Sequence, residues 1–487
     1  MPRRRLALTR AAVDLDMGHL ASQLYPYLPV WLQNLGISLY GYAWKHERLG
    51  GRFTDYVEEF KARERWSPDR FEQYLVCRLR CVLANAYAQV PYYARGWRRL
   101  GLDEDGLRRF QLADLPRLPA TPKQRLRESA ADFATRDSHR RGDLRRYASS
   151  GTTGTPITAT YTVDGHRRSI AAREARSFGW AGASILSPRS MIGGRLVVPK
   201  AAARPPFYRY NRAERQVYFS AFHISPRNTP DYVAAFNRFQ PRVLTGYAYS
   251  HYLLARMMLE QGLTLNYEPD ALILGSEKLT PEMKAVLQRA FRARAYEEYG
   301  CVENCVLATE CEHGRLHVSP DFGILEIVDD QGLPVPPGVE GRILCTSMLS
   351  EVQPLIRYEI GDLGAWASEP CPCGRVHLPV LKEIVGRLED LVTCPDGRQM
   401  VRFHGIFIDL PNIIEGQVIQ EALDQFTVRI VAQPGFGERE ENIIQKRFAE
   451  RLGLVHVKIE LVPDIPRTER GKFRAVISKL KTPAGRE

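Results

Sequence analysis

Near Arg146 the texture of the chain changes, and that change decides the class of fold open to it. Downstream, short apolar runs punctuated by Gly and Pro, such as Arg195 to Pro199, Arg242 to Tyr247 and Ala271 to Gly275, alternate with helix-like segments. Strand and helix in alternation bury their apolar faces as layers, so an α/β architecture is expected. Phe322 to Val328 and Arg342 to Thr346, joined by the turn-rich Asp329 to Gly338, read as an antiparallel hairpin. Upstream, to about residue 120, the pattern is helical. Ser67 and Pro68 stand where an N-cap and first helical position belong, and Phe71, Leu75, Leu79, Val82, Leu83 and Ala86 recur at helical spacing until Val90-Pro91 stops the run. A last unit begins near Gly386. Val428 and Ile430, then Val455, Val457, Ile459 and Leu461, read as half-buried strands flanking a helix from about Glu438 to Leu452, enough for a small α+β domain.

Charge and cysteine content narrow the function. The 68 Lys and Arg against 56 Asp and Glu give a net charge of +12, spread along the chain. No basic block is interleaved with aromatics, so a nucleic-acid partner is not expected. Nine cysteines and no apolar secretory segment point to reduced thiols or metal ligands in a cytoplasmic protein. The stretch from Met17 to Trp44 lacks charge, but Pro26, Pro29, Gln33, Asn34 and Gly36 interrupt it, which argues for helices packed on a core and against a spanning helix. Its Tyr25, Tyr27, Trp31, Tyr40, Tyr42 and Trp44 would also suit peripheral contact with a membrane.

The strongest local feature is Tyr147-Ala148-Ser149-Ser150-Gly151-Thr152-Thr153-Gly154-Thr155-Pro156. Its glycines let the backbone approach an anion, and its hydroxyls and amides offer donors to phosphate oxygens. No Gly-Lys-Ser/Thr follows the spacing of a Walker A loop, so positive charge must come from elsewhere. A basic, loop-like segment, Ile465-Pro466-Arg467-Thr468-Glu469-Arg470-Gly471-Lys472, stands far downstream. In this order and at this separation, the two segments resemble the adenylate-forming superfamily of acyl- and aryl-coenzyme A synthetases.

The intermediate motifs carry the same resemblance. Tyr299-Gly300-Cys301-Val302-Glu303 resembles a segment whose aromatic packs on adenine and whose carboxylate holds Mg²⁺ between ATP oxygens. Tyr358 to Leu363 resembles the segment whose aspartate, here Asp362, accepts the ribose hydroxyls. Gly386-Arg387-Leu388-Glu389-Asp390 resembles the hinge, with Arg387 near ribose and phosphates, and Gly275-Ser276-Glu277 resembles the adenine-contacting loop. Val90-Pro91-Tyr92-Tyr93, Thr245-Gly246-Tyr247, Pro354 to Tyr358 and Cys371 to Arg375 are closer still to phenylacetate-coenzyme A ligases and a capsular-polysaccharide-biosynthesis-like branch.

The resemblance implies a large N-terminal domain of layered sheets and helices, with residues 1–120 as its helical part and 121–386 as the core with ATP and acid sites. Residues 387–487 would form a small mobile α+β domain carrying a catalytic Lys472. It also implies that a carboxylic acid, aromatic or hydroxylated, is activated by ATP as its acyl-adenylate and passed to coenzyme A. Tyr247, Gly246 and Cys301 would line the acid pocket. Three departures leave the acceptor open between coenzyme A and an amine, hydroxyl or carrier protein. Thr155 stands where many relatives have Lys, Glu389 replaces the hinge Asp, and no Gly-rich stretch follows Asp390. A catalytically silent binding protein on the same fold is the other alternative, against which Lys472, Glu303 and Asp362 argue.

A second constellation joins Cys311, His317, Cys371 and Cys373, four ligands sufficient for a closed structural Zn²⁺ site. His313 and His377 compete as the nitrogen ligand, Cys301 and Cys305 offer another pair, and metal-free buried thiols are the alternative. His404 lies just past the hinge, where it could serve the second half-reaction.

Overall fold

The computed structural model of the protein describes residues 24–148, 157–195, 197–199, 204–387, 392–393, 399–400, 406–407, 410, 412–466 and 473–480. The helix Pro68–Gln89 forms as its punctuation dictates. Ser67 Oγ accepts from the amide of Arg70 at 3.3 Å, Pro68 takes the first turn, and the apolar repeat from Phe71 to Ala86 is buried. Val90 ends it, and Pro91 opens the next helix, Pro91–Arg99.

A hairpin of β1 (Leu144–Ala148) and β2 (Thr158–Thr162) brackets the Ser/Thr/Gly segment. Beyond it lies one twelve-stranded sheet of two halves. In the parallel half, β5 (Gln216–Ser220), β3 (Arg189–Gly193), β6 (Val243–Tyr247), β7 (Ala271–Gly275) and β8 (Ala295–Gly300) lie side by side, with β4 (Tyr208–Asn211) antiparallel at the margin. In the antiparallel half, β8 is followed by β9 (Leu307–Glu310), β10 (Leu316–Val318), β14 (Val380–Arg387), β13 (Tyr358–Trp366), β12 (Glu340–Ser347) and β11 (Gly323–Val328). The expected hairpin is the β11–β12 pair, in register from Gly323 with Ser347 to Val328 with Arg342.

Of the run Arg195 to Pro199, expected as a strand, the described residues Arg195 and Val197 to Pro199 are not in one. Pairing with β5 and β6 is complete over Arg189–Gly193, and Val198 is buried beyond the sheet. Of the aromatics in the uncharged N-terminal stretch, Tyr27, Trp31, Tyr40 and Tyr42 are exposed, while Trp44 packs against Tyr147 and His166. The aromatics of this stretch lie on or beside a helix, Val30–Leu49, whose only buried residues are Gln33 and Gly41.

β14 is the last strand in sequence to join this sheet, and a separate four-stranded sheet follows, ordered β19 (His456–Leu461), β18 (Gln425–Ala432), β17 (Ile413–Ala422) and β20 (Val476–Ser478). The helix Glu438–Leu452 covers it, setting Ile444, Phe448 and Leu452 against Val418, Phe426, Val428 and Ile430. Short strands β15 (Val392–Thr393) and β16 (Gln399–Met400) stand between the two sheets in sequence.

A buried ion network braces the large sheet to the helices. Asp321, after β10, receives Arg176 through both oxygens at 2.7 and 3.0 Å and Arg63 at 2.8 Å. Burial works to raise the Asp321 carboxyl, but the two guanidinium groups outweigh it and hold the carboxyl below the usual range.

Candidate active site

Parallel strands in register finish together, so the carboxyl ends of β6, β7 and β8 form one margin, where clefts of α/β sheets lie. Tyr247 is level with Gly275, and Gly275 with Glu298. Gly246 has φ +123°, and a Cβ there would stand 1.9 Å from the carbonyl oxygen of Ile192, so only glycine lets β6 pass β3. Tyr247 is buried in the parallel half's core, and His251 Nδ1 donates to its carbonyl at 2.8 Å.

At the end of β7, Ser276 turns the chain at φ +66° and Glu277 faces two elements. Its carboxylate accepts from the amide of Tyr249 at 2.8 Å and from that of Phe473, in the C-terminal unit, at 3.4 Å. The rings of Phe473 and Tyr249 stack with centroids 4.4 Å apart and planes 10° apart. Arg256 also donates to the carbonyl of Ile413 at 3.0 Å. Glu277, in the loop expected to contact adenine, thus also links the large sheet to the segment that follows Lys472.

The two expected site carboxylates are each held by a tyrosine. Tyr358 and Asp362 both lie on β13. Tyr358 Oη donates to Glu303 Oε1 at 2.9 Å, and Tyr299 Oη donates to Asp362 Oδ2 at 2.7 Å. Burial first, then the adjacent carboxylates, push both phenols up, so they stay protonated as donors. Glu303 is buried and, among the described residues, makes no salt bridge. Cys301 and Cys305 flank it with sulfurs 3.5 Å apart, and their mutual hydrogen bond and burial raise the Cys301 thiol. Gly300 leaves space that Arg173 reaches, since a Cβ there would lie 3.3 Å from its Nη2, while Arg173 Nε pairs with Glu298 at 3.1 Å.

Some neighbours escaped sequence reasoning. Tyr147 and Tyr161, on either side of the Ser/Thr/Gly segment, stack at 5.4 Å, and His166 and Trp44 close an aromatic cluster around them. Burial, assisted by Arg48 and Arg173, drives the His166 pKa down to about 3, so its ring is neutral. Lys123 Nζ donates to the carbonyl of Ile360 at 2.8 Å, beside Gly361 and one residue before it. Only the aromatic spacing around the loop could have signalled the cluster. Nothing local marks Lys123.

Cys311, His317, Cys371 and Cys373 converge, with ligand atoms within 4.8 Å of one another. His317 Nδ1 donates to the carbonyl of Leu378 at 2.9 Å, which leaves Nε2 as the acceptor, 3.3 Å from Cys373 Sγ. Cys311 and Cys371 sulfurs are 3.6 Å apart, and the amide of His313 donates to Cys311 Sγ at 3.4 Å. Three soft donors, one oriented imidazole nitrogen and an amide on a sulfur fit a tetrahedral zinc ion. His377 instead packs on Phe71 with ring centroids 4.6 Å apart.

Several expected residues lie outside the described ones: Ser149, Ser150, Gly151, Thr152, Thr153, Gly154 and Thr155, together with Glu389, His404 and Lys472. Of Arg387, the backbone is described, level with Asp362 across β13 and β14.

Residues 395–479 match the family described as the CapK C-terminal domain. Protein CapK of Staphylococcus aureus is 25% identical over 477 residues, covering 94% of this chain and 99% of that protein. A phenylacetate-coenzyme A ligase of Thermus thermophilus is 27% identical over 456 residues, covering 83% of this chain and 95% of that one. Among solved structures, 2-hydroxyisobutyryl-CoA ligase in the postadenylation state aligns with a TM-score of 0.67 at 22% identity, over 86% of this chain and 91% of that one. The same ligase in the thioesterification state aligns at 0.56, with 23% identity over 85% and 91%. The likeness to these structures is one of fold.

Proposed function

The chain belongs to the phenylacetate-coenzyme A ligase-like adenylate-forming proteins, with CapK among its relatives, and on that premise we propose that it activates a carboxylic acid with ATP as an acyl-adenylate, releasing pyrophosphate, and then transfers the acyl group to coenzyme A. The supporting observation is the convergence on one sheet margin of Glu303, Asp362 and the segment bearing Phe473, the residue after Lys472.

The roles follow from charge. A carboxylate attacking the α-phosphorus brings one anion onto another, so the site must neutralise the developing charge and align the nucleophile opposite the departing pyrophosphate. Glu303, held by Tyr358, would ligate a magnesium ion, which when bound neutralises phosphate charge. Asp362, held by Tyr299, accepts the ribose hydroxyls, and the Tyr299 ring borders adenine with the loop Gly275, Ser276 and Glu277. The residues from Ser149 to Thr155 donate to phosphate oxygens, and Arg387 adds charge near the ribose. Lys472 bridges the acid and the α-phosphate when residues 387–487 close over the site, and it leaves when they turn for thiolation. Gly246, Tyr247, Gly300 and Cys301 border the acid, for which aromatic and hydroxylated acids are the first classes to try. Cys311, His317, Cys371 and Cys373 hold a structural zinc ion.

The departures at Thr155, at Glu389 and after Asp390 keep a second acceptor class in view, an amine, hydroxyl or carrier protein in place of coenzyme A. The test is acid-dependent pyrophosphate exchange across a carboxylic-acid panel, followed by mass spectrometry of the product with and without coenzyme A. Lys472→Ala should lose on the order of 10²-fold or more in exchange while still transferring the acyl group from presynthesised adenylate. Equal loss in both steps would overturn the closing role, and thioester-free turnover with an amine or hydroxyl would decide for the second acceptor.

A further inference from the structure

The helix Val30–Leu49 is built inside out. Its hydrogen-bonding side chains face the protein and seal the exposed margin of the sheet at β4. Asn34 Oδ1 accepts from the amide of Tyr210 at 2.9 Å, and Ser38 Oγ from the amide of Arg212 at 3.0 Å, so an edge strand that would otherwise present free donors is covered. Gln33 is buried, donates to the carbonyls of Tyr25 and Leu28, and accepts from Arg209. Gly41 lets the helix lie on Asn211, whose side chain would stand 2.2 Å from a Cβ there.

With the polar residues turned inward, the leucines and aromatics face out. Trp31, Leu35, Leu39 and Tyr42 follow at helical spacing on one face, continued by Leu24 and Tyr27, and Trp31 and Leu39 are each 66% exposed. Every exposed residue from Leu24 to Ala43 is Leu, Tyr, Trp, Pro, Gly or Ala. A patch of this kind marks an interaction surface. Protein interfaces carry about one hydrogen bond per 100–200 Å², and among the exposed side chains from Leu24 to Ala43 only the tyrosine hydroxyls and the Trp31 indole N–H can make one. Trp and Tyr among leucines suit the boundary between lipid chains and headgroups.

Charge agrees. Lys45 and Arg212 are exposed beside the stripe, while nearby Glu47 is paired with Arg145 and Glu214 is buried with Arg48 and Arg189. Among the described residues no helix is long and apolar enough to cross a membrane. We propose that the outward face of the helix Val30–Leu49 seats the protein on the surface of an anionic lipid bilayer, with Trp31, Leu35, Leu39 and Tyr42 at the acyl boundary and Lys45 and Arg212 at the headgroups.

The test is co-sedimentation of the full chain with phosphatidylcholine vesicles containing or lacking phosphatidylglycerol. Binding should favour the anionic vesicles and weaken with salt, and Trp31→Ser/Leu35→Ser/Leu39→Ser should lower the partition constant at least tenfold with unchanged circular dichroism and unfolding midpoint. Absence of binding, or equal binding by the triple variant, overturns the proposal. Acrylamide quenching of Trp31, taken as the difference from Trp31→Phe, should show an open ring without lipid. Protection that grows with protein concentration would assign the face to a second copy of the chain. Protection at every concentration would assign it to residues 1–23, and either result overturns the lipid reading.

Discussion

Two buried carboxylates in this protein have opposite surroundings. Asp321 lies between Arg63 and Arg176, with every oxygen taken by a guanidinium. Glu303, nearly as buried, accepts from the neutral hydroxyl of Tyr358 and, among the described residues, has no cationic partner within the protein. A charge removed from water must be compensated. Asp321 is compensated by the chain itself, which makes it structural. Glu303 is oriented and left to be compensated from outside, which is the arrangement a cation-holding site needs.

The sharpest way to break this contrast is to exchange the losses. Asp321→Asn leaves Arg63 and a fully buried Arg176 without their anion, and breaking such a pair from one side costs about 3–5 kcal/mol. Urea unfolding should show that loss, while exchange activity per folded molecule stays near wild type. The effect should also depend on pH. The folded-state carboxyl is held below its ordinary value, so its contribution is complete above that value and is lost as pH falls through the lower, folded one. The gap in unfolding free energy between wild type and Asp321→Asn should hold from pH 7 to about pH 4 and close below it. A gap that closes between pH 7 and 5 would contradict the assignment.

Glu303→Gln should do the reverse. Pyrophosphate exchange should fall on the order of 10²-fold or more, with little change in unfolding free energy, because no buried cation loses its partner. Exchange in wild type should also vanish with EDTA and return with Mg²⁺. A large loss of stability with retained exchange would make Glu303 a second Asp321.

The Cys/His cluster sharpens the structural side, since Cys311 and His317 sit on either side of the β9–β10 turn that leads to Asp321. Purified protein should carry about one equivalent of zinc. Cys373→Ser should lose it together with about 2–3 kcal/mol, the stabilisation expected with free zinc near a hundredfold above its dissociation constant. Activity per folded molecule should survive. A metal-free protein of full stability would leave the four residues as packed thiols and a neutral histidine.

How much of this was legible depended on the range of the interaction. The helix Pro68–Gln89 carries its cap, its repeat and its stop in its own residues, and Glu438–Leu452 has the bounds its pattern suggested. The strands β6 and β7 were equally plain, but the strand order, with β14 inserted beside β10, is set by contacts no local pattern encodes. The motif residues pointed to Glu303 and Asp362, whereas the tyrosines that hold them lie 55 and 63 residues away from their partners. The helix Val30–Leu49 shows a different limit. A stripe of Trp31, Leu35, Leu39 and Tyr42 at helical spacing reveals an apolar face but not its direction, and only the bonds of Gln33, Asn34 and Ser38 to β4 and its neighbours show that it points outward.

The smallest expected effect isolates the difference between orienting a carboxylate and neutralising it. Tyr358→Phe removes one hydroxyl from Glu303 and leaves the ring in the core. A hydrogen bond to a charged group contributes about 1.5–3 kcal/mol. Part of that returns when a bound cation replaces the lost donor, so the lower end, roughly tenfold, is expected in the Mg²⁺ concentration that gives half-maximal exchange. Saturating Mg²⁺ should restore most of the rate, because the carboxylate is intact and only its aim has loosened. Asp321→Asn offers no such rescue, as no solute ion reaches that site. If Tyr358→Phe instead lowered the rate equally at all Mg²⁺ concentrations, the hydroxyl would be acting on substrate directly, and Glu303 would owe its position to packing around Cys301 and Cys305.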